Sequence, residues 1–275
     1  MLPTPRDKAI VLAVYTHGRL SREHIRRLFF HRSDSDRLSS IQATSARLRR
    51  LAEAGYLSRV PVPVLKGSGQ YLYSLGETGS RLLAAEYKIV ATPRSARALG
   101  PSFLALDHTL EVADFYIALK QALDARGGSL LTWLGERECH YRFFHQGRRR
   151  VIAPDAYCLW SLGRRTSSFF LEWERGHQGL QAIAEKLDGY DAYHARRGYL
   201  EHLGEVGLTP RLAFVVPDAR RQRQLVGWLV RQQGRGRWRY LPSVLVGIRP
   251  VVLGSPLADV WMPASSDGRS VSIGS

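Results

Sequence analysis

Thiols are nearly absent from this chain of 275 residues: Cys139 and Cys158 are the whole complement. Their spacing matches neither a metal-ligand pattern nor a disulfide framework, which points to a reducing, intracellular setting. Acidic residues are also in deficit, 24 Asp and Glu against 40 Lys and Arg, a formal charge of +16. Lysine is scarce too, at positions 8, 66, 88, 120 and 186 only, so arginine carries almost all of the positive charge. No apolar run approaches the roughly eighteen residues of a membrane span, and no secretory leader opens the chain. The expectation is a cytoplasmic protein without membrane contact. A GxxxxGK[ST] phosphate loop and an HExxH pair are both missing, which counts against an ATPase and a zinc protease; GxSxG is missing as well.

What is present is a surplus of arginine, whose forked guanidinium suits phosphate and guanine. A basic excess of this size draws in polyanions, and nucleic acid is the commonest soluble one. Residues 1–90 hold 15 Lys and Arg against 7 Asp and Glu, half of the excess in a third of the chain.

The same stretch has a readable order. Thr4-Pro5-Arg6-Asp7 opens a helix that Gly18 ends, with Ile10, Val11 and Val14 at helical spacing. Ser21 caps a short second helix bearing Ile25, Leu28 and Phe29. A third runs from about Asp36 to Ala54, with Leu38, Ile41, Leu48, Leu51 and Ala52 on its apolar face and Gly55 at its end. Strands are expected at Tyr56–Val60 and Gln70–Leu75, joined by a loop holding Lys66, and a further helix at Gly76–Tyr87. Three short helices followed by a hairpin is the order of a winged helix, here residues 1–90. Residues 91–104 read as a linker.

Residues 105–262 alternate. Helices are expected at Leu106–Ala125, Gln178–His194 and Ala219–Gln233, and strands at Leu130–Glu136, Val151–Leu159, Ser168–Trp173, Arg211–Val216 and Val244–Ile248. Such an order builds a mixed sheet flanked by helices, making the whole an α+β protein. The Ser- and Gly-rich residues 263–275 read as a disordered tail.

With its apolar face packed, the third helix would turn Ser39, Gln42, Ala43, Ala46, Arg47 and Arg50 outward. The small alanines would let its backbone approach a major groove, Gln42 suits adenine, and Arg47 or Arg50 suits guanine or phosphate. Arg26 and Arg27 of the second helix would clamp the DNA backbone, together with Lys66 on the wing. Arginines at 220, 221, 223, 235, 237 and 239 around Trp238 form a further candidate stripe.

Chemistry, if any, centres on Pro154-Asp155 and Phe170-Leu171-Glu172-Trp173-Glu174-Arg175-Gly176. Strand alternation sets Glu172 and Glu174 on one face. A neighbouring strand would bring Asp155 beside Glu172, a pair of oxygen donors of the kind Mg²⁺ takes. This PD…ExE run resembles the PD-(D/E)xK nuclease core. The resemblance implies metal ligands at Asp155 and Glu172, with an extra carboxylate from Glu111, and a restriction-endonuclease-like second domain. Glu174 stands where that core has its lysine, and Lys186 on the following helix is the candidate substitute.

Leu106 and His108, Pro154 to Ala156, Phe170 to Gly176, and Lys186, Leu187 and Tyr190 together resemble the replication-relaxation proteins of plasmids and mobile elements. The resemblance spans about residues 5 to 220. It implies a DNA-binding role in replication, relaxation or transfer, with double-stranded DNA and replication or transfer proteins as partners. Three readings stay open: an accessory or recruitment factor, a Mg²⁺-dependent nuclease or nickase, and a winged-helix transcriptional regulator that dimerises through its second half.

Overall fold

The computed structural model describes residues 2–30, 37–61, 71–92, 103–204, 208–264 and 269–274. Lys66 and most of the expected linker, 91–104, lie outside them. The chain divides into two compact units, Met1–Ile117 and Ala118–Ser275.

In the first unit, α1 (Pro5–His17) starts from a reciprocal cap: Thr4 N donates to Asp7 Oδ2 at 2.7 Å, and Asp7 N donates to Thr4 Oγ1 at 3.3 Å. Gly18, at φ 71°, ends the helix. A short strand β1 (Leu20–Ser21) leads into α2 (Arg22–Phe29), where Ser21 and His24 cap each other. Then come α3 (Arg37–Glu53), β2 (Leu57–Pro61), β3 (Tyr71–Leu75) and α4 (Glu77–Tyr87). The strands form an antiparallel sheet in the order β1-β3-β2. Ile10, Val11, Val14, Leu20, Ile25, Leu48, Leu51, Leu57 and Leu83 pack into one core.

Two expectations change here. Leu38 is 78% exposed, and Thr44 joins Leu48 and Leu51 on the buried stripe of α3. The helix α5 (Phe103–Asp124), read as the start of the second domain, contributes its first half to the first unit. Ala113 is buried in that core, and Asp114 accepts a bond from Arg27 Nη1 at 2.9 Å and lies 3.3 Å from His24 Nε2.

The second unit continues with β4 (Ser129–Gly135), α6 (Glu136–Cys139), β5 (Tyr141–His145), β6 (Arg148–Ile152), β7 (Ala156–Leu162), β8 (Arg165–Trp173), α7 (Leu180–Ala195) and α8 (Gly198–His202). It ends with β9 (Arg211–Val216), α9 (Ala219–Gly234), β10 (Val244–Ile248), α10 (Arg249–Gly254) and β11 (Trp261–Pro263). The main sheet runs β11-β10-β9-β8-β7-β4. β4, β7 and β8 are antiparallel neighbours, whereas β8, β9 and β10 are parallel. Parallel neighbours need crossover connections, and α7 and α9 supply them. Ile183 and Leu187 of α7 and Leu225 and Leu229 of α9 share one core with Phe170, Leu212, Phe214 and Val246 of the sheet. Both helices therefore cover the same sheet face.

The expected strand Val151–Leu159 is two strands in different sheets, β6 paired with β5 and β7 in the main sheet. The break falls at Pro154, which has no N–H to give to a ladder. The expected tail is also partly structured: Pro263 pairs with Leu245, Val271 bridges Trp261, and Ile273 is fully buried.

Asp7, fully buried, is the anchor of the first unit. Arg47 Nε donates to its Oδ1 at 2.5 Å and Arg47 Nη2 to its Oδ2. Burial works against the carboxylate, but Arg47 and Thr4 hold it below its ordinary value of 3.8. Replacing Asp7 with Ala should cost about 3 kcal/mol, through the orphaned guanidinium and the lost cap. With the folded-state value below the unfolded one, the contribution is complete above 3.8 and fades as pH falls through the folded value. Urea unfolding of variant and parent at pH 7 measures the loss, and equal stabilities would refute this role.

Candidate functional site

The acid cluster forms at the end of β8. Asp155 N donates to Leu171 O at 2.9 Å, extending the β7–β8 ladder back to the residue after Pro154. One carboxylate oxygen of Asp155 accepts from Trp173 N at 2.6 Å, which fixes the side chain beside Glu172. Glu172 itself is 1% exposed and faces α7. Lys186 Nζ pairs with its Oε2, and Tyr190 Oη donates to its Oε1 at 2.6 Å. Lys186 and Tyr190 lie one helical turn apart, so a single face of α7 supplies both. The sequence singled out Lys186 as the displaced lysine, and it does meet Glu172. Tyr190 enters the sequence reading only through the Lys186-Leu187…Tyr190 motif, without a role of its own; its hydroxyl is part of the site.

Burial pushes the Glu172 carboxyl up to about 7, with Asp155 adding to the rise and Lys186 and Tyr190 opposing it. Burial also disfavours the Lys186 ammonium, but the neighbouring Glu172 carboxylate keeps it above its ordinary value. The Tyr190 hydroxyl is pushed well up by burial and by Glu172, so it remains a donor. Near neutral pH this cluster can hold or release one proton at Glu172.

Glu174, although on the same sheet face, belongs to a different network. Arg221 of α9 donates to both its oxygens, Nε to Oε2 at 3.0 Å and Nη2 to Oε1 at 3.1 Å. The N–H groups of Gly176 and Gln178 also donate to Oε1, at 2.8 and 3.3 Å. Glu174 therefore ties α9 and the turn after β8 to the sheet. The same ion pair removes Arg221 from the expected phosphate stripe. Arg237 and the Trp238 indole donate to Asp188, the indole at 2.6 Å, while Arg220, Arg223, Arg235 and Arg239 are exposed. Glu111 falls in the first unit. Among the described residues no cluster of three or more His, Cys, Asp or Glu stands where it could hold a metal ion. Tyr193 is fully buried among aromatic rings, and burial raises both cysteine thiols.

On α3, Ser39, Gln42, Ala43, Ala46, Arg49 and Arg50 are exposed. The Arg50 side chain makes no ion pair or hydrogen bond among the described residues, and the Arg49 guanidinium pairs with Glu53 at 3.9 Å. Arg47 is a correction: it precedes buried Leu51 by one turn, so it flanks the core and is spent on Asp7. Arg26 and Arg27 are corrected likewise. Arg26 forks onto Glu23 at 2.7 and 2.8 Å and reaches Ser40, and Arg27 holds Asp114. All three brace the first unit.

These features define an α+β protein with a mixed sheet and a buried acid–lysine pair at a strand end. Residues 12–209 match the replication-relaxation family, and the chain belongs to it. That membership supports a replication-related role. No curated protein matches the chain. Two solved structures of the restriction endonuclease FokI, one bound to DNA, are similar at 11 and 12% identity with a TM-score of 0.27. The matches cover 90% of this chain, which spans 42 and 43% of theirs. A likeness that loose decides neither fold nor chemistry. No helix among the described residues is long and apolar enough to cross a membrane.

The Lys186→Ala variant isolates the charge balance of the cluster, because it leaves Glu172 buried without its cation. At pH 8 the loss of stability should be about 3 kcal/mol. At pH 5, below the value of about 7 at which Glu172 takes up a proton, it should shrink to roughly 1 kcal/mol. The sign follows from a folded-state value raised above the unfolded one: the carboxyl is neutral in the fold at pH 5 and must stay charged or be protonated at cost at pH 8. Urea unfolding at both pH values checks this, and equal losses would show that another group responds.

Proposed function

We propose that this chain is a duplex-DNA-binding factor of replication or transfer, working in the cytoplasm. In this reading residues 1–90 form a winged helix and the second unit is a nuclease-like platform that serves recruitment. The observation that carries it is the outer face of α3. Gln42 and Arg50 stand exposed around small Ala43 and Ala46, while Thr44, Leu48 and Leu51 hold the opposite face in the core. A helix so presented can enter a major groove, with Gln42 for adenine, Arg50 for guanine or phosphate, Ser39 for phosphate, and exposed Leu38 for a thymine methyl. Replication or transfer proteins would be the further partners.

A second reading, a Mg²⁺-dependent nuclease, draws support from one observation: Asp155, Glu172 and Lys186 converge, as in the PD-(D/E)xK resemblance. Asp155 and Glu172 are oxygen donors compatible with a divalent cation. As they stand, however, both Glu172 oxygens are engaged by Lys186 and Tyr190, and one Asp155 oxygen by Trp173 N. With no third ligand beside them among the described residues, the set does not fit a resident ion. The recruitment reading is therefore the better supported.

Two measurements test these readings. Arg50→Ala should weaken duplex binding about tenfold and reduce the slope of log K against log salt by about 0.9, one phosphate's worth. Unchanged affinity in both Arg50→Ala and Gln42→Ala would remove α3 from the interface. Supercoiled plasmid incubated with the protein and Mg²⁺ or Mn²⁺ should stay supercoiled while binding persists. Nicking that Asp155→Ala abolishes would instead establish the nuclease.

A further inference from the structure

The hairpin formed by β5 and β6 stands outside the main sheet, and its composition is one-sided. From Cys139 to Pro154 the chain has four arginines and no acid. Gln146 and Gly147, at φ 48° and 73°, make the tight turn that such a hairpin needs. Opposed residues of an antiparallel pair share a face, so the register separates two surfaces. The inner one buries Phe143, 5% exposed, opposite Arg150, and Ile152, 2% exposed, opposite Tyr141. This face joins the core under α7. Gly189 of α7 permits the close approach, since a Cβ there would lie 2.7 Å from Val151 O.

The outer face presents Arg142 opposite Val151 and Phe144 opposite Arg149. Phe144 is 63% exposed, and the Arg149 guanidinium lies 5.7 Å from its ring centroid. Arg142, Arg148 and Arg149 make no ion pair among the described residues, in contrast to Arg47, Arg27 and Arg221, which are all neutralised. Solvation explains exposed arginines but not an exposed phenyl ring under the Arg149 guanidinium. The hairpin backbone is anchored at this position: Arg196 of the α7 end donates to the main-chain O of Phe144 at 3.2 Å. A stacking ring flanked by phosphate-binding cations is the combination that single-stranded nucleic acid uses, whereas a duplex offers no open base face.

We infer that the outer face of the β5–β6 hairpin is a binding surface for single-stranded DNA. Arg142 and Arg149 hold successive phosphates, and Phe144 stacks on an unpaired base. The inference deepens the proposed function in that it takes the partner to be DNA, and it adds a second contact, on the other unit from α3. After β6 the chain leads through Ala153 and Pro154 into Asp155.

The test is fluorescence anisotropy with a labelled oligothymidylate and, separately, a labelled duplex. The Arg142→Ala/Arg149→Ala double variant should bind the single strand about tenfold more weakly, with the salt slope lowered by about 1.4, that is, about 0.7 for each of two phosphates. Phe144→Ala should lose about tenfold as well, and Phe144→Tyr, which keeps the ring, should retain binding and so separate lost stacking from a lost fold. Arg50→Ala should do the opposite, weakening duplex binding and sparing the single strand. Unchanged single-strand affinity in both hairpin variants overturns the inference, whatever the duplex result. Equal losses on duplex and single strand overturn the stacking role. Failure of Arg50→Ala alone strikes the α3 reading and leaves this one standing.

Discussion

Strand β8 carries two carboxylates into a region where water does not reach. Glu172 and Glu174 are 1% and 3% exposed, and an uncompensated charge at such depth costs several kcal/mol. The fold tolerates them because each draws a cation from a different helix, Lys186 from α7 and Arg221 from α9. The two ion pairs set where both crossover helices lie along the same sheet face. Asp155, its carboxylate held by Trp173 N, then stands beside Glu172.

The first unit follows the same rule with different residues. Buried Asp7 takes Arg47, and Asp114 takes Arg27 beside His24. These acids sort the large arginine surplus into two populations. One is consumed internally as struts, among them Arg26, Arg27, Arg47 and Arg221. The other, including Arg50 and the hairpin arginines 142 and 149, makes no ion pair among the described residues. Net charge alone does not distinguish them, although it correctly signals that the second population exists. Function on this account is read from the cations that no internal acid has claimed.

Much of the architecture was legible from local chemistry. The caps at Thr4 and Ser21, the glycine stop at Gly18 and the apolar spacing of Ile10, Val11 and Val14 act within a turn or two, so they appear in the sequence as they appear in space. The same holds for Glu172 and Lys186, fourteen residues apart on consecutive elements. Pro154 was a visible signal that went unused, and reading through it merged β6 with β7. Leu38 looked like a core residue by spacing, yet α3 turns Thr44 inward in its place. The tail looked disordered by composition, yet Val271 bridges Trp261 and Ile273 is buried, because a few apolar residues suffice once a sheet edge is present.

Sequence alone determined the principal helices and strands, the α+β class, and the Asp155, Glu172 and Lys186 members of the acid–lysine cluster. Those properties depend on hydrogen bonds and spacings a few residues long. Tertiary structure alone decided which charges remain available. Arg47 meets Asp7 across forty residues and Arg221 meets Glu174 across forty-seven, and nothing local distinguishes either arginine from Arg50. The physical reason is that a buried carboxylate selects whichever cation the folded chain delivers within reach, and that delivery exists only once the core has closed.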